Sequence, residues 1–532
     1  MTSVQSFRQM MNGDFYRAAL WRALNAVMIC TLALASACGG GSMSTPAGGV
    51  SNGGGGGTTT TPSDTVTISK NVSGPFSVAM STSFQPAEWD YTLFQSFPGL
   101  SATLQNLQSR HIRLQGVSQG VPQGAAMSAS ATWDFSILDA IVQPVLSVGD
   151  HSPEFQIAKA PPFMYANNDS SATFQDLTFQ QFAGYAQNLV QYYSAGGFSF
   201  NGQTYASPSY PADAITWWGI YNEPNINNNL TPQQYVQMYN TLVPAMQAVD
   251  PSLKFAALEL ADFSGQVQTW VPPFVDGVTA QVDVMATHFY STCNQMDTDA
   301  TVFATIPGFV SDVQLFYSQM ATNPGLAQVP VWVTENNVNA DYDAGNNMSA
   351  CNPGQTFVTD ARGSSAFFAA WRPYVFSQLG KAGVRALYHW DFGADPQFGE
   401  VNATTGQTQL SYWVDYWLER TFPSSPGSSL LEYTDTDAAD VEVLPVMNGD
   451  GSVVVMLANH AVPTPDDNNG PGAPRSILID VSALGAFSSA SLLTIDASTS
   501  ALTGPSPSSV SPAGQMTVSF SGYGVEFLTL TP

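Results

Sequence analysis

The chain contains few basic residues for its length. Only 14 Lys and Arg oppose 40 Asp and Glu among 532 residues, giving a net charge of −26 and a sequence pI near 4.1. A surface of this charge repels nucleic acid and anionic lipid headgroups. We therefore expect no nucleic-acid partner, and a polyanionic substrate is disfavoured.

Cysteine is also scarce, with four residues in the whole chain. Cys30 and Cys38 lie near the N-terminus, which leaves Cys293 and Cys351 for the folded part. Both follow strands that we expect to be neighbours, so in an exported protein they are predicted to form a disulfide worth about 4 kcal/mol in the chain-entropy model. Two free thiols are the alternative. Zinc is not expected, because paired histidines at metal-binding spacing are absent.

The sequence has a single long apolar run, between about residues 23 and 37, and a basic segment with Arg8, Arg17 and Arg22 precedes it. This pattern is typical of a signal peptide. The run ends in Leu34-Ala35-Ser36-Ala37-Cys38, which resembles a bacterial lipobox. It predicts export, with Cys38 lipidated and a membrane contact through the lipid only. Ordinary cleavage after Ala37 and free secretion are the alternative.

Four segments are predicted. Residues 1–38 form the leader and residues 39–65 a Gly/Ser/Thr-rich linker that cannot bury a core. Residues 66–425 alternate short apolar strands with helical patterns, and residues 426–532 contain short strands separated by turn signals. The last segment is predicted to be a β-sandwich, which the strand-like stretch from Asp64 to Lys70 can join.

Eight strands are predicted in the middle segment, which indicates a (β/α)8 barrel. A doubly wound sheet is the alternative, but no Gly-rich phosphate loop follows the first strand. The eight predicted strands are Phe76–Met80, His111–Gln115, Gln143–Val148, Ile215–Ile220, Phe255–Glu259, Val284–His288, Val329–Thr334 and Ala386–Trp390. Helices are predicted between most of them, for example over 232–249 and 364–382.

Two carboxylates follow predicted strands four and seven. Glu223 lies in the segment Tyr221-Asn222-Glu223-Pro224, and Glu335 follows Val331-Trp332-Val333-Thr334. Barrel enzymes build their sites at the carboxyl ends of the strands. Two carboxyl groups about 5–5.5 Å apart across one cleft suit a retaining glycosidase, with one as acid/base and the other as nucleophile. Glu223 is predicted to be the acid/base and Glu335 the nucleophile.

Further polar and aromatic side chains lie at or near the same strand ends. Arg113 can keep Glu335 ionised, Tyr290 can donate a hydrogen bond to it, and Asn222 can donate to a sugar hydroxyl. Trp390 offers a flat face to a sugar ring, and His288, His151 and Glu154 are additional candidates for substrate binding. Each of these side chains also has a purely structural interpretation, but together they fall at one face.

These motifs resemble those of glycoside hydrolase clan A. The strand-two run Ile112-Arg113-Leu114-Gln115-Gly116, the pair Asn222-Glu223, the run Thr287-His288-Phe289-Tyr290 and Glu335 carry the resemblance. Within the clan the sequence is most similar to family 39, the β-xylosidase-related group, and families 30, 44, 51 and 79 share much of the pattern. Gln115, where many relatives carry His, and the Cys351-bearing insertion depart from it, which leaves the substrate open.

The resemblance implies a retaining β-glycosidase that acts on a neutral poly- or oligosaccharide through a covalent glycosyl-enzyme, without a metal or organic cofactor. A carbohydrate-binding cell-surface protein on the same fold is the alternative, although it would not need both Glu223 and Glu335. A serine esterase is a further alternative that we disfavour, because the chain has only five histidines to serve as its base.

Overall fold

The computed structural model describes most of the chain beyond the N-terminal region. The described residues are 62, 64–85, 92–115, 133–148, 152–208, 210, 214–424, 428–436 and 439–532. Among them, no helix combines the length and the apolar character that crossing a bilayer requires. The leader, the lipobox with Cys38 and most of the predicted linker fall outside these residues.

Eight parallel strands close into a barrel, as the sequence predicts. They follow one another around the barrel in chain order, and the last strand pairs with the first. The barrel strands are β2 (Ala79–Phe84), β3 (Arg113–Gln115), β4 (Glu154–Ile157), β7 (Trp217–Ile220), β8 (Lys254–Leu260), β9 (Val284–Thr292), β10 (Val331–Asn339) and β11 (Ala386–His389). Two short sheets lie outside the barrel wall and consist of β5 (Gly197–Phe200) with β6 (Gln203–Ala206) and β12 (Gly393–Ala394) with β13 (Val401–Asn402).

Helices surround the barrel. In chain order they are α1 (Leu93–Ser96), α2 (Leu100–Leu107), α3 (Ser136–Ser147), α4 (Gln180–Ala195), α5 (Pro232–Gln247), α6 (Phe263–Gly277), α7 (Asp299–Met320), α8 (Ala366–Lys381) and α9 (Leu410–Thr421). The two helices predicted over 232–249 and 364–382 correspond to α5 and α8.

One predicted strand is wrong. Residues 143–147 of the run 143–148 belong to helix α3, Val148 directly follows the helix, and the third barrel strand is β4 instead. Leu138, Ile141, Val142 and Val145 are all buried, and their spacing of three and four residues is that of a helix face. A short apolar run read in isolation cannot distinguish a buried helix from a buried strand. The first predicted strand also begins early, since β2 starts at Ala79.

Helix α5 shows how the sequence sets the local geometry near the open end of the barrel. Thr231 caps the helix by accepting a hydrogen bond from the Gln234 amide, the Gln234 side chain returns a bond to the Thr231 amide, and Pro232 occupies the first turn. Four residues after the cap, the Tyr235 hydroxyl donates to Ile220 O at 2.9 Å and accepts from the Leu258 amide at 2.7 Å. Tyr235 therefore joins the end of β7 to β8.

The C-terminal residues form one nine-stranded, mostly antiparallel sheet around a separate hydrophobic core. Its strands are β1 (Asp64–Pro75), β14 (Ser429–Asp435), β15 (Val441–Met447), β16 (Val453–Asn459), β17 (Arg475–Asp480), β18 (Ser489–Asp496), β19 (Ser508–Val510), β20 (Gln515–Phe520) and β21 (Gly524–Thr531). We call this unit the β-domain.

Strand β1 lies inside the β-domain although it precedes the barrel in the chain. It is antiparallel to β14 and parallel to β17. Its residues Val66 and Ile68 belong to the core of that domain. The barrel therefore begins after β1, at β2.

Buried acidic residues join the two domains. Glu442 accepts from Lys381 Nζ at 2.6 Å and from Ser377 Oγ on α8. Asp299, at the start of α7, accepts from the amides of Asn469 and Gly470 at 2.7 and 2.8 Å. Because these carboxylates are desolvated, their hydrogen bonds fix the position of one domain against the other.

Candidate active site

The strand ends bring most of the predicted residues together. Arg113 opens β3, His288 and Tyr290 lie in β9, and Glu335 lies in β10. Asn222 and Glu223 follow β7, and Trp390 follows β11 directly. Since parallel strands present their carboxyl ends at one face of a barrel, these side chains converge there.

The carboxylates of Glu223 and Glu335 face each other across a short gap. Three atoms lie within 4.8 Å of one another, namely one carboxylate oxygen of Glu223, one of Glu335 and a ring nitrogen of His288. The separation suits a nucleophile with an acid/base. A water between two carboxyl groups, as inversion requires, needs about 6.5–9.5 Å.

Glu335 is held from two sides and is 5% exposed. Arg113 Nη1 donates to Oε1 at 3.0 Å, and the Tyr290 hydroxyl donates to Oε2 at 2.9 Å. Burial raises the pKa of Glu335 above its ordinary value, while His288 and Arg113 act to lower it. The two cations therefore favour the ionised carboxylate that attack on a sugar requires.

Glu223 is more accessible than Glu335, with side-chain exposures of 20% and 7%. Its Oε1 lies 3.0 Å from His288 Nδ1. Its backbone is left-handed, with φ at 48°, and its amide donates to Glu259 O at 3.1 Å. An acid/base must reach both a leaving group and a water, which suits the more open of the two positions.

Asn222 is oriented by two donors on one oxygen. Its Oδ1 accepts from Arg113 Nη2 at 2.9 Å and from Gln156 Nε2 at 3.0 Å. These bonds define which end of the amide is oxygen, so Nδ2 points away as a donor. This arrangement suits the predicted bond from Asn222 to a sugar hydroxyl.

His288 lies among three carboxylates. Its Nδ1 is 3.0 Å from Glu223 Oε1 and 3.5 Å from Glu335 Oε2, and its Nε2 is 3.7 Å from Glu259 Oε2. Burial alone would lower its pKa, but these carboxylates raise the pKa of His288 to about 9. The imidazole is therefore positively charged at neutral pH.

Trp390 forms an aromatic wall at the site. It is 7% exposed and clusters with Phe398 and Ala394, against which Tyr290 and Tyr342 pack. The Arg113 guanidinium lies 5.9 Å from the centre of its ring. Aromatic faces of this kind suit the apolar face of a sugar ring.

Of the predicted substrate-binding residues, Glu154 does not face this cleft. Glu154 is fully buried, because it begins β4 instead of following the strand wrongly placed at 143–148. It lies inside the barrel, where no substrate can reach it, so its predicted role is corrected. His151 lies outside the described residues.

Two residues of the site were missed from the sequence. Glu259 Oε2 accepts from Arg113 Nη2 at 2.7 Å and from Gln156 Nε2 at 2.7 Å. The signal was present for Glu259, since it is a carboxylate at the end of predicted strand five. Gln156 gave no signal, because its strand was placed elsewhere.

The described residues contain two groups whose donor atoms are close enough for a metal ion, Glu223–His288–Glu335 and His389–Glu400–Asp415. Neither fits one. In the first group, Arg113 and the Tyr290 hydroxyl already bind the two oxygens of Glu335. His389 Nε2 bonds Phe398 O at 2.7 Å, and Asp415 already binds Arg372 through both oxygens.

Cys293 and Cys351 form the predicted disulfide, with Cα atoms 5.8 Å apart and positions 58 residues apart in sequence. It links the segment after β9 to the segment after β10. Asn352 Nδ2 adds a hydrogen bond to Cys293 O at 2.7 Å. The strands that carry His288 and Glu335 are thus tied covalently beyond their ends.

Comparison with known proteins agrees with this fold and site. Residues 203–361 match the family model described as the glycosyl hydrolase catalytic core, a range that includes Glu223, Glu259, His288 and Glu335. The predicted resemblance to glycoside hydrolases is thereby confirmed for this part of the chain. Among proteins with curated functions, none matches this sequence.

Solved structures share the architecture over most of the chain. A monomeric β-xylosidase from Caulobacter crescentus CB15 has a TM-score of 0.61 and 16% identity, covering 88% of this chain and 99% of its own. A GH39 enzyme from Xanthomonas axonopodis pv. citri gives 0.61 and 15%, covering 89% and 98%. An α-L-arabinofuranosidase from Thermotoga maritima gives 0.61 and 12%, covering 88% and 99%. At identities this low, the similarity establishes the fold alone.

Proposed function

We propose that the protein is a retaining glycoside hydrolase acting on β-glycosidic bonds of a neutral poly- or oligosaccharide. The observation that carries this proposal is the pair Glu223 and Glu335, with carboxylate oxygens within 4.8 Å of each other. The cations Arg113 and His288 contact Glu335. The net charge of −26 favours a neutral substrate over an anionic one.

The proposed reaction has two steps. The Glu335 carboxylate attacks the anomeric carbon, and the bond to the leaving oxygen breaks as Glu223 gives that oxygen its proton. A covalent glycosyl-enzyme results. Glu223, now ionised, then takes a proton from water, which attacks the same carbon and releases Glu335. The acid/base regains its proton, and two displacements retain the anomeric configuration.

The surrounding residues support each step. Arg113 and Tyr290 hold both oxygens of Glu335, which fixes the attacking atom. His288 contacts both carboxylates, so its positive charge stabilises whichever of them is ionised. Asn222 would donate to a sugar hydroxyl and Trp390 would pack against the ring. Preorganised charge of this kind is usually the largest contribution to catalysis.

Activity on a panel of aryl β-glycosides tests the proposal. We expect Glu335→Gln to lower kcat/KM by more than about 10⁴-fold and Glu223→Gln by about 10² to 10⁴-fold. Glu223→Ala should lose least on substrates whose leaving group needs no protonation. A wild-type protein no faster than Glu335→Gln on every glycoside would instead identify a carbohydrate-binding protein.

Stereochemistry gives an independent test. NMR of the first-formed sugar should show the configuration of the substrate, because each displacement inverts the anomeric carbon once. A product of opposite configuration would exclude Glu335 as the nucleophile. Product sizing on a polysaccharide panel would then identify the sugar and distinguish endo from exo action.

We also propose that the protein is exported and anchored through Cys38. The basic and apolar leader and the lipobox-like segment support export, and a disulfide is typical of an oxidising compartment. Metabolic labelling with a radioactive fatty acid should mark the wild type but not Cys38→Ala. An unlabelled wild-type protein recovered from the medium would indicate free secretion.

A further inference from the structure

Strand β8 contains a bulge directly below the site. Leu258 and Glu259 both have left-handed backbone conformations, with φ at 77° and 48°, and the pairing with β9 shifts register between Leu258 and Leu260. Left-handed residues other than glycine are strained by about 1–3 kcal/mol each and cluster at functional sites. The hydrogen bond from the Leu258 amide to the Tyr235 hydroxyl, at 2.7 Å, stabilises this conformation.

The bulge directs the Glu259 side chain into the barrel, where it is fully buried. Bulges near active sites commonly redirect a side chain in this way. Besides its 2.7 Å bonds from Arg113 and Gln156, Oε2 lies 3.7 Å from His288 Nε2. The backbone oxygen of Glu259 accepts the Glu223 amide at 3.1 Å. One residue thus contacts both cations of the site and the main chain of the proposed acid/base.

Each cation is shared between Glu259 and a proposed catalytic carboxylate. Arg113 gives Nη2 to Glu259 and Nη1 to Glu335. His288 presents Nε2 to Glu259 and Nδ1 to Glu223. Moving or neutralising Glu259 would therefore change the contact of Arg113 with Glu335 and that of His288 with Glu223.

We propose that Glu259 is a positioning residue that orients Arg113 toward Glu335 and His288 toward Glu223. This inference rests on the proposed glycosidase function of the site. Glu259 itself is too deeply buried to touch a substrate.

A second carboxyl group beside Glu259 keeps its proton. Burial and the neighbouring Glu259 raise the pKa of Glu154 well above its ordinary value. Arg113 holds the pKa of Glu259 below its ordinary value despite burial. The pair therefore carries one negative charge, which faces the cations Arg113 and His288.

Glycine makes room for this carboxyl pair. A Cβ at Gly219, in β7, would lie 2.4 Å from Glu259 Oε1 and 2.8 Å from Glu154 Oε1. The titratable and charged groups that face the pair directly are Arg113, Tyr235, His288 and Tyr388. Glu335 is connected to the pair through Arg113, and Glu223 through its main chain.

Glu259→Gln removes the charge at nearly constant shape. Without this negative neighbour, Arg113 acts on Glu335 alone, so the pKa of Glu335 should fall. We expect the acid limb of the kcat/KM profile to move to lower pH by roughly one unit. The pKa of His288, now about 9, should fall as well, because one of its three carboxylate neighbours is lost.

Two Glu→Gln controls separate charge from shape. Glu154→Gln exchanges one neutral group for another beside Glu259, so the limbs of the pH profile should stay in place. Glu400→Gln makes the same exchange outside the site, at a buried glutamate whose pKa is also raised. An even loss of kcat across all pH values in Glu259→Gln, with no shift of either limb, would overturn the proposal.

NMR titration of the histidine rings tests the inference without turnover, with His288→Gln used to assign the signal. A lower pKa of His288 in Glu259→Gln supports the inference even if no glycoside is hydrolysed, in which case only the proposed function fails. An unchanged pKa of His288 overturns it.

If Glu259→Gln does not fold, Glu259→Asp replaces it. The shorter carboxylate should keep the pH limbs and lower kcat more than it raises KM, and an unchanged kcat would overturn the proposal.

Discussion

Two buried clusters in the barrel contain the same kinds of side chain, but the pKa of their histidine is shifted in opposite directions. The His288 cluster consists of Arg113, Glu154, Glu259 and His288. The His389 cluster consists of Arg372, Glu400, Asp415 and His389. Each joins an arginine to one ionised carboxylate, with a second carboxyl group beside it.

The carboxyl pairs of the two clusters behave alike. Arg372 holds the pKa of Asp415 low despite burial, as Arg113 does for Glu259. Burial and a neighbouring carboxylate raise the pKa of Glu400 well above its ordinary value. Each pair thus retains one proton, because two adjacent buried carboxyl groups cannot both ionise.

The histidines respond in opposite directions. Burial lowers the pKa of His389, and Asp415, its principal carboxylate partner, does not reverse this. His288 also faces Glu335 and Glu223, which raise its pKa to about 9. The comparison teaches that the added carboxylates, and not the shared cluster, give His288 the positive charge required at the site.

Replacing the arginines should have the largest effect on stability. Arg113→Met and Arg372→Met each leave a buried carboxylate without its partner, which costs about 3–5 kcal/mol. Denaturant unfolding should show similar losses for both variants. When kcat/KM is expressed per folded molecule, only Arg113→Met should lose most of it, since only Arg113 contacts Glu335. Equal losses of activity would break the distinction between the clusters.

Replacing the histidines should change how stability depends on pH. The pKa of His288 is higher in the folded state than in the unfolded state, so protonated His288 stabilises the fold by about 3 kcal/mol below pH 6.5. This contribution is lost as pH rises through about 9. The lowered pKa of His389 has the opposite sign, so its contribution is lost as pH falls below 6.5.

Unfolding free energies measured from pH 5 to pH 10 test this difference. The wild type should lose stability more steeply than His288→Gln on the alkaline side, and more steeply than His389→Gln on the acid side. Parallel curves for the wild type and His288→Gln would show that His288 is not charged in the folded state.

Gly219→Ala should have the smallest effect and would sharpen the comparison. The added Cβ would press on Glu259, Glu154 and Gln156, which should cost about 1–3 kcal/mol through overpacking. It should also disturb the NMR signal of His288 and leave that of His389 in place. Gly184→Ala in α4, where a Cβ meets nothing within 4 Å, is the matched control. Equal stability of the two variants would contradict the crowding around Gly219.

The sequence predicted those features of the fold and the site that depend on short segments of the chain. Apolar strands followed by polar residues identified seven of the barrel strands and placed Glu223, Glu335 and Arg113 at their ends. The segment around 143–148 failed, because burial made helix α3 as apolar as a strand. The role of Glu259 could not be predicted, since it depends on a bulge held by Tyr235 from another element. The Cys293–Cys351 disulfide needed only the expectation of neighbouring strands.

The position of β1 makes the barrel an insertion within the β-domain. The chain completes one strand of that sheet, builds the entire barrel, and then returns to add the partners of β1, namely β14 and β17. Cutting the chain after the barrel would leave β1 without neighbours and its residues Val66 and Ile68 exposed. The smallest piece expected to fold as a barrel therefore starts after Pro75, and the β-domain can be made alone only by joining β1 directly to β14.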